Sequence, residues 1–295
     1  MELLIGSICT IVFIGFLICF LQYSNHLVML SEYSYGNEKV PNAFYGFKIL
    51  HISDLHGDLS KRKYDKILKM IRSEKPDVIA FTGDAIDYVH RKNFQRSISF
   101  VEEMAKDFQV YYVTGNHEYM HKECFPIIEA YEKIDNVTVL HDKVIGFEKG
   151  GQHISLFGVD DPYALYNGEV PSKYITPKAE FLEKFHDLFK VPQEFSVLLS
   201  HRPEFFEEYV KEGFDLVFTG HAHGGQWWVP FAGGFLAPDQ GVFPKFVRGR
   251  YVKDKTTMFV SRGLGNSVVP IRLFNRPELL LVTLQGEEIC KRKEL

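Results

Sequence analysis

No Lys or Arg occurs before Lys39, so the N-terminal stretch carries no basic flank of the kind that marks a cytoplasmic loop. Cysteine is scarce: of four, Cys9 and Cys19 lie in an apolar run, and whether Cys124 and Cys290 pair cannot be read from spacing. Neither sign of charge dominates. Lys and Arg total 34 against 38 Asp and Glu, a net charge of -4, which gives no support for a nucleic-acid-binding surface. No Gly/Ser-rich or Pro-rich linker and no internal repeat divides the chain, which argues for one large domain after the first segment.

That first segment is the long hydrophobic run. Leu3 to Leu21 holds no charged residue. As a helix it would extend about 28 Å, close to the hydrocarbon thickness of a bilayer. No A-x-A-like cleavage site follows and only Glu2 precedes it, so it reads as an uncleaved single-pass anchor in a cell membrane rather than a cleaved signal or a core helix. Without a basic cluster after the span, the remainder is expected outside the cytoplasm. Residues 22–44, polar and aromatic with little periodicity, read as a stalk, and 45–295 as the functional domain.

Within that domain strand and helix signals alternate. Strands are expected at Phe47–Ser53, Val78–Thr82 and Val110–Thr114, with helices near 61–73, 93–106 and 122–134. Closely spaced strands follow at 137–140, 143–147 and 153–159, then a helix near 178–189 and strands at 195–199, 216–219, 257–261, 278–284 and 287–290. This order fits an α/β domain of two mixed sheets with helices outside.

Short polar segments close several of these strands: Asp54-x-His56, Gly83-Asp84-x-x-Asp87, Gly115-Asn116-His117-Glu118, Ser200-His201 and Gly220-His221-x-His223. Together Asp54, His56, Asp84, Asn116, His201, His221 and His223 offer carboxylate, carboxamide and imidazole donors sufficient for two divalent cations. Side chains two apart on an extended segment point the same way, so Asp54 and His56 are expected to converge, as are His221 and His223. Gly83, Gly115 and Gly220 let the backbone turn and approach the ions. Asp84 can bridge, since a carboxylate has two oxygens to share. Mixed N/O donors suit Mn, Zn, Fe or Co; so few carboxylates disfavour magnesium and calcium.

In motif and order these segments resemble the calcineurin-like metallophosphoesterase superfamily, from about Lys48 to the C-terminus. Gly158-Val-Asp-Asp-Pro162, Leu199-Ser-His-Arg-Pro-Glu204, Gly220-His-Ala-His-Gly-Gly-Gln226 and Ser261-Arg-Gly-Leu-Gly-Asn-Ser267 are similar to its membrane-associated YkuE/YaeI-like branch. The resemblance implies a four-layer α/β/β/α sandwich with a dinuclear centre. Asp54, His56, Asp84 and His223 would hold one ion, and Asp84, Asn116, His201 and His221 the other. His117 would act catalytically on the phosphate or leaving group without binding metal, and Glu118 would orient it. A hydroxide shared by ions about 3.5–4 Å apart would attack phosphorus in line. The implied activity is phosphoester hydrolysis. Given the anchor, the expected substrate is a phosphodiester or pyrophosphate in a lipid or cell-envelope molecule. A phosphomonoesterase on soluble nucleotides or phosphoproteins is the alternative, and a non-enzymatic phosphate-binding receptor a more distant one.

Other residues keep two readings each. Asp87 orients a ligand or is a helix N-terminal acid. Asp160 and Asp161 make a turn or line the substrate mouth. Arg202 and Arg262 clamp phosphate or form surface ion pairs. Trp227-Trp228-Val229-Pro230-Phe231, with Phe235 and Leu236, packs in the core or forms an apolar rim touching lipid. The basic run from Lys61 to Lys75 is a solvated face or meets anionic headgroups.

Overall fold

Glu2–His26 forms one helix, α1, and its residues 5–26 are long and apolar enough to cross a membrane. Ile8, Ile11, Val12, Phe13 and Phe16 all face outward, so no protein core claims them. The computed structural model describes residues 2–57, 60–89, 94–171, 175–188, 194–266 and 271–289. At its C-terminal end α1 meets the domain. Asn25 accepts from the Arg272 backbone N–H (2.7 Å) and donates to the Arg272 carbonyl (3.2 Å). Arg276 lies over the Tyr23 ring (4.7 Å) and donates to the Leu27 and Val28 carbonyls.

The chain then enters β1 (Met29–Gly36), which pairs in parallel with the last strand, β16 (Glu278–Gln285). The expected stalk is therefore built into the sheet. Its sequence shows no clean alternation because β1 is a half-exposed edge strand whose partner lies at the far end of the chain. The first sheet runs β1-β16-β2-β3-β4-β5, adding β2 (Lys48–Ile52), β3 (Val78–Thr82), β4 (Gln109–Val113) and β5 (Val137–Val139). From β2 to β5 all neighbours are parallel. Three helices cover its outer face: α2 (Lys61–Glu74), α3 (Phe94–Ala105) and, after the short α4 (Asn116–Tyr119), α5 (Pro126–Glu132). On α2 the buried Tyr64, Ile67, Leu68 and Ile71 recur at helical spacing, each worth about 1.5–3 kcal/mol when fully buried.

The second sheet runs β14-β15-β9-β8-β7-β6. In chain order these are β6 (Lys143–Lys149), β7 (Gln152–Gly158), β8 (Ser196–Leu199), β9 (Leu216–Thr219), β14 (Gly249–Lys253) and β15 (Thr256–Val260). Between β9 and β14, two small ladders pair β10 (Trp228–Val229) with β11 (Gly233–Gly234) and β12 (Leu236–Ala237) with β13 (Gly241–Val242). Helices α6 (Lys178–Leu188) and α7 (Phe206–Glu212) pack outside this sheet.

The layers follow from strand alternation. On β3, Val78 and Ala80 face the other sheet while Ile79 and Phe81 face the helices. On β8, Val197 and Leu199 meet them from across the interface, and Leu198 turns outward. The result is the expected four-layer α/β/β/α sandwich. His51 is trapped between the sheets, bonded to Thr82 Oγ1 (2.8 Å), where burial pushes its imidazole down to about 3.

Two expected elements differ. The helix near 122–134 is broken: Lys122–Cys124 is a 3-10 turn and α5 begins at Pro126, which lacks an N–H and suits a first helical turn. Residues 287–289 are a helical turn instead of a strand, because the second sheet already ends at β14 and β6 and the first at β1 and β5. Cys124 is fully buried, and Cys290 lies outside the described residues.

Candidate metal centre

The C-terminal ends of β2, β3, β4, β8 and β9 meet at one end of the sandwich, each delivering one polar segment. Parallel strands present the loops at their carboxyl ends to a common crevice, where such sheets place ligands. The loops are laced together. Asp54 N–H donates to the Gly83 carbonyl and His56 N–H to that of Asp84, both at 3.0 Å. The Asp54 carboxylate accepts from His221 N–H (3.1 Å).

Asp54 and His56 do converge, but not by strand alternation. β2 has already ended at Ile52, and Asp54, His56, Asp84, His221 and His223 all have positive φ, from 47° to 62°. A non-glycine residue held there costs of order 1 kcal/mol, so such clustering marks a site where geometry is worth that cost. Gly83 has φ +79°, and a Cβ there would strike the Gly115 backbone. Gly220 has ordinary dihedrals; its missing Cβ makes room for Ser53 and Asp54.

Two groups of donors result, sharing Asp84. Asp54, His56, Asp84 and His223 form one, with ligand atoms within 4.8 Å of one another. His56 Nε2 stands 3.2 Å from His223 Nε2, which is 3.4 Å from Asp54 Oδ1. Asp84, His201 and His221 form the other. His201 donates through Nδ1 to the Thr82 carbonyl (2.7 Å), leaving Nε2 to face Asp84 Oδ2 (3.3 Å) and His221 Nδ1 (3.1 Å). Asn116 Oδ1 is buried with no hydrogen-bond partner among the described residues, as an amide oxygen kept for a cation would be.

The electrostatics suit positive charge. Burial opposes ionisation of Asp84, yet the imidazoles of His201, His117 and His56 outweigh it and hold its carboxyl well below the carboxylate range. Burial likewise opposes protonation of His201, but Asp84 and Asp54 draw it up to about 10. The field that pulls a proton onto His201 would pull a divalent cation equally. Burial, helped by the Asp84 carboxylate, pushes Asp54 up; burial, helped by neighbouring cationic groups, pushes His56 down to about 3 and His223 well below its usual value. Neutral imidazoles are what a metal site requires.

A family model described as calcineurin-like phosphoesterase matches residues 47–225, taking in all these segments. The chain belongs to the calcineurin-like phosphoesterase family. It is 27% identical over 271 residues to the uncharacterized metallophosphoesterase YkuE of Bacillus subtilis, covering 88% of this chain and 87% of that one. Metallophosphoesterase Cj0846 of Campylobacter jejuni is 28% identical over 277 residues, 91% of this chain and 68% of the other. A transmembrane protein with metallophosphoesterase domain from Bos taurus is 26% identical over 259 residues, 84% of this chain and 55% of that protein.

The residues bracing this calcineurin-like centre differ from expectation. Glu118 does not orient His117. It is buried and accepts from the backbone N–H groups of Asp84 (3.0 Å), Ala85 (2.9 Å) and Gly115 (2.7 Å), clamping the loops after β3 and β4 together. Burial, with Asp84 nearby, pushes its carboxyl up to about 7. Asp87 Oδ1 stands 3.6 Å from His117 Nδ1, which accepts from Tyr88 N–H (3.2 Å). His117 Nε2 lies 3.9 Å from Asp84 Oδ2.

Arg202 is neither a surface ion pair nor a free phosphate clamp. It is fully buried, gripping Asp161 with Nε and Nη2 and reaching Asp239, whose carboxylate contacts His221 Nε2 (3.0 Å). Asp161 thus holds Arg202, and Asp160 accepts from Thr114 Oγ1 (2.7 Å) and His141 Nδ1 (2.9 Å). Arg262 pairs with Glu278 (3.5 Å). Sequence reading missed Asp239, Arg272 and Asn275. Asn275 donates to the carbonyls of His223 (2.7 Å) and Gln226 (3.2 Å), and Arg272 donates to those of Arg262 (2.8 Å), Gly263 and Gly265. Nothing in their local sequence signals this, because each acts on a segment distant in the chain.

Proposed function

We propose that this chain is a membrane-anchored dinuclear phosphohydrolase that cleaves a phosphodiester or pyrophosphate bond in a lipid or cell-envelope molecule. Family membership already makes it a metal-dependent phosphoester hydrolase. Asp54, His56, Asp84 and His223 hold one ion in this reading, and Asp84, Asn116, His201 and His221 the second. The convergence of His201 Nε2, His221 Nδ1 and Asp84 Oδ2 is the observation that carries it. Two divalent ions bound there supply Lewis acidity, activating water and neutralising charge on the phosphoryl oxygens. His117 donates from Nε2 to a phosphoryl or leaving-group oxygen, its Nδ1 held by Tyr88 N–H with the Asp87 carboxylate nearby.

The preference for a diester over a phosphomonoester rests on how the arginines are spent. Arg202 is committed to carboxylates and Arg272 to backbone carbonyls, so neither is left to neutralise the second negative charge of a phosphomonoester. The lipid context rests on α1, which this reading places across a cell membrane with the domain on the extracytoplasmic side. Purified protein loaded with manganese should hydrolyse bis-p-nitrophenyl phosphate with a higher kcat/KM than p-nitrophenyl phosphate. The reverse order would favour the phosphomonoesterase reading, and hydrolysis undiminished after metal removal would sink both. His117→Ala should keep its bound metal while kcat falls about 10²–10⁴-fold.

A further inference from the structure

We infer that Phe231, Phe243, Ile271 and Phe274 form a bilayer-contacting face that seats the metal centre at the headgroup level of the membrane α1 crosses. This rests on the reading of α1 as a membrane span. All four side chains are exposed, Phe231 completely. The three phenylalanines also have positive φ: 68° at Phe231, 52° at Phe243 and 51° at Phe274. Turns needing that conformation are ordinarily filled by Gly, Asn or Asp, and a bulky residue there is an outlier. Three phenylalanines on strained backbone stay more than half exposed, which the packing of the domain does not account for; an apolar phase outside it does.

The face is continuous with the anchor. Phe274 contacts Phe20 of α1 with ring centroids 4.8 Å apart. From the same loop, the Ile271 carbonyl accepts from Trp227 Nε1 (3.0 Å) and the Leu273 carbonyl from Trp228 N–H (2.9 Å). Trp227 stacks on Phe235 (5.6 Å), which meets Phe243 edge-on (5.8 Å). Ring contacts and hydrogen bonds therefore lead from α1 to the open end of the second small ladder. Two cation–aromatic pairs border it: Arg248 lies 3.3 Å from the Trp228 ring centroid, and Arg276 lies over Tyr23. Arginine and tyrosine or tryptophan at the edge of an apolar surface suit the headgroup layer, with phenylalanine below it in the acyl region.

The same loop reaches the metal centre, since Asn275, next to Phe274, binds the His223 carbonyl. Seating the face would thus hold the catalytic crevice at a fixed height, where a phosphate joined to a lipid is found. A soluble partner protein would explain exposed apolar surface but not its continuity with α1.

The two tryptophans of the chain, Trp227 and Trp228, both border this face, and none lies in α1, so selectively excited tryptophan fluorescence reports on it alone. Full-length protein in phosphatidylcholine nanodiscs should lose roughly half its tryptophan emission when the lipid is brominated near the headgroup end of its acyl chains. Phe231→Asp with Phe243→Asp should restore most of that emission while hydrolysis of bis-p-nitrophenyl phosphate stays unchanged. Phe231→Ser alone should give a smaller change in the same direction. Unquenched tryptophan in protein that has entered the discs would overturn the face and leave the anchor standing. Failure to enter the discs would overturn both. Emission unaffected by brominated bilayer but shifted by a monomeric short-chain lipid phosphodiester would make the surface an acyl-chain groove and overturn bilayer docking.

Discussion

The two halves of the metal centre share Asp84 but are braced in opposite ways. Around His56, Asp54 and His223 the supports are neutral or act through backbone. The Ile86 carbonyl faces His56 Nδ1 (3.3 Å), the Asn275 amide holds the His223 carbonyl, and Gly265 N–H holds that of Asp54 (2.7 Å). Arg272 ties those loops to Asn25 at the end of α1. Around His201 and His221 the supports are charges: Arg202, paired with Asp161 and Asp239, meets His221 together with Asp239. A backbone brace positions a ligand by chain geometry and transmits movement of α1. A buried charge network fixes orientation locally, but is costly to leave half-paired.

Asp84→Ala breaks the comparison at its common point and has the largest expected effect. Both ions should be lost or weakened and hydrolysis should fall below detection; elemental analysis showing two retained ions would remove Asp84 from its bridging role. Arg202→Met strands Asp161 and Asp239, and denaturant unfolding should show a loss of about 3–5 kcal/mol. Its metal defect should fall on the His201–His221 half. Asn275→Ala should do the opposite, costing about 10–100-fold in affinity for one ion with the other unchanged and little loss of stability. Titration with a single metal would resolve two classes of site; equal weakening of both would mean the halves are not separately braced.

The smallest effect lies outside both halves, at His141. Its hydrogen bond to Asp160 holds the imidazole above its usual pKa, against partial burial. A raised folded-state pKa stabilises fully below the unfolded value of about 6.5, and that contribution disappears as pH rises through the folded value. The Tm difference between the parent and His141→Gln should therefore be greatest in mild acid and shrink towards alkaline pH, with metal binding unaffected. A constant difference would mean that His141 contributes by packing alone.

Much of this architecture was legible in the chain. Val78–Thr82 and Leu216–Thr219 coincide with their strands because a doubly covered strand is an unbroken apolar run. Edge strands were not. β1 and β14 are half-exposed, their side chains follow no strict alternation, and β1 finds its partner about as far away as the chain allows. That Asp54, His56, Asp84, His201, His221 and His223 gather at one place was legible, because residue types of that chemistry follow buried strands. The role of Glu118 was not. Its residue type fitted the orienting of His117, but its longer side chain reaches three backbone N–H groups instead. Arg202 was left between two readings, and burial decided for neither.

The sequence by itself determined which atoms are offered to the centre and that an apolar helix precedes the domain, since both are local: donor chemistry belongs to the side chain, and length and hydropathy to the segment. Only the tertiary structure decided which groups brace those donors and that the loop around Arg272 to Arg276, which also binds Trp227 and Trp228, lies against the end of α1. Those relations join residues hundreds of positions apart, such as Asn25 with Arg272 and Phe20 with Phe274, and no local pattern encodes a contact whose partner is set by how the sheets close.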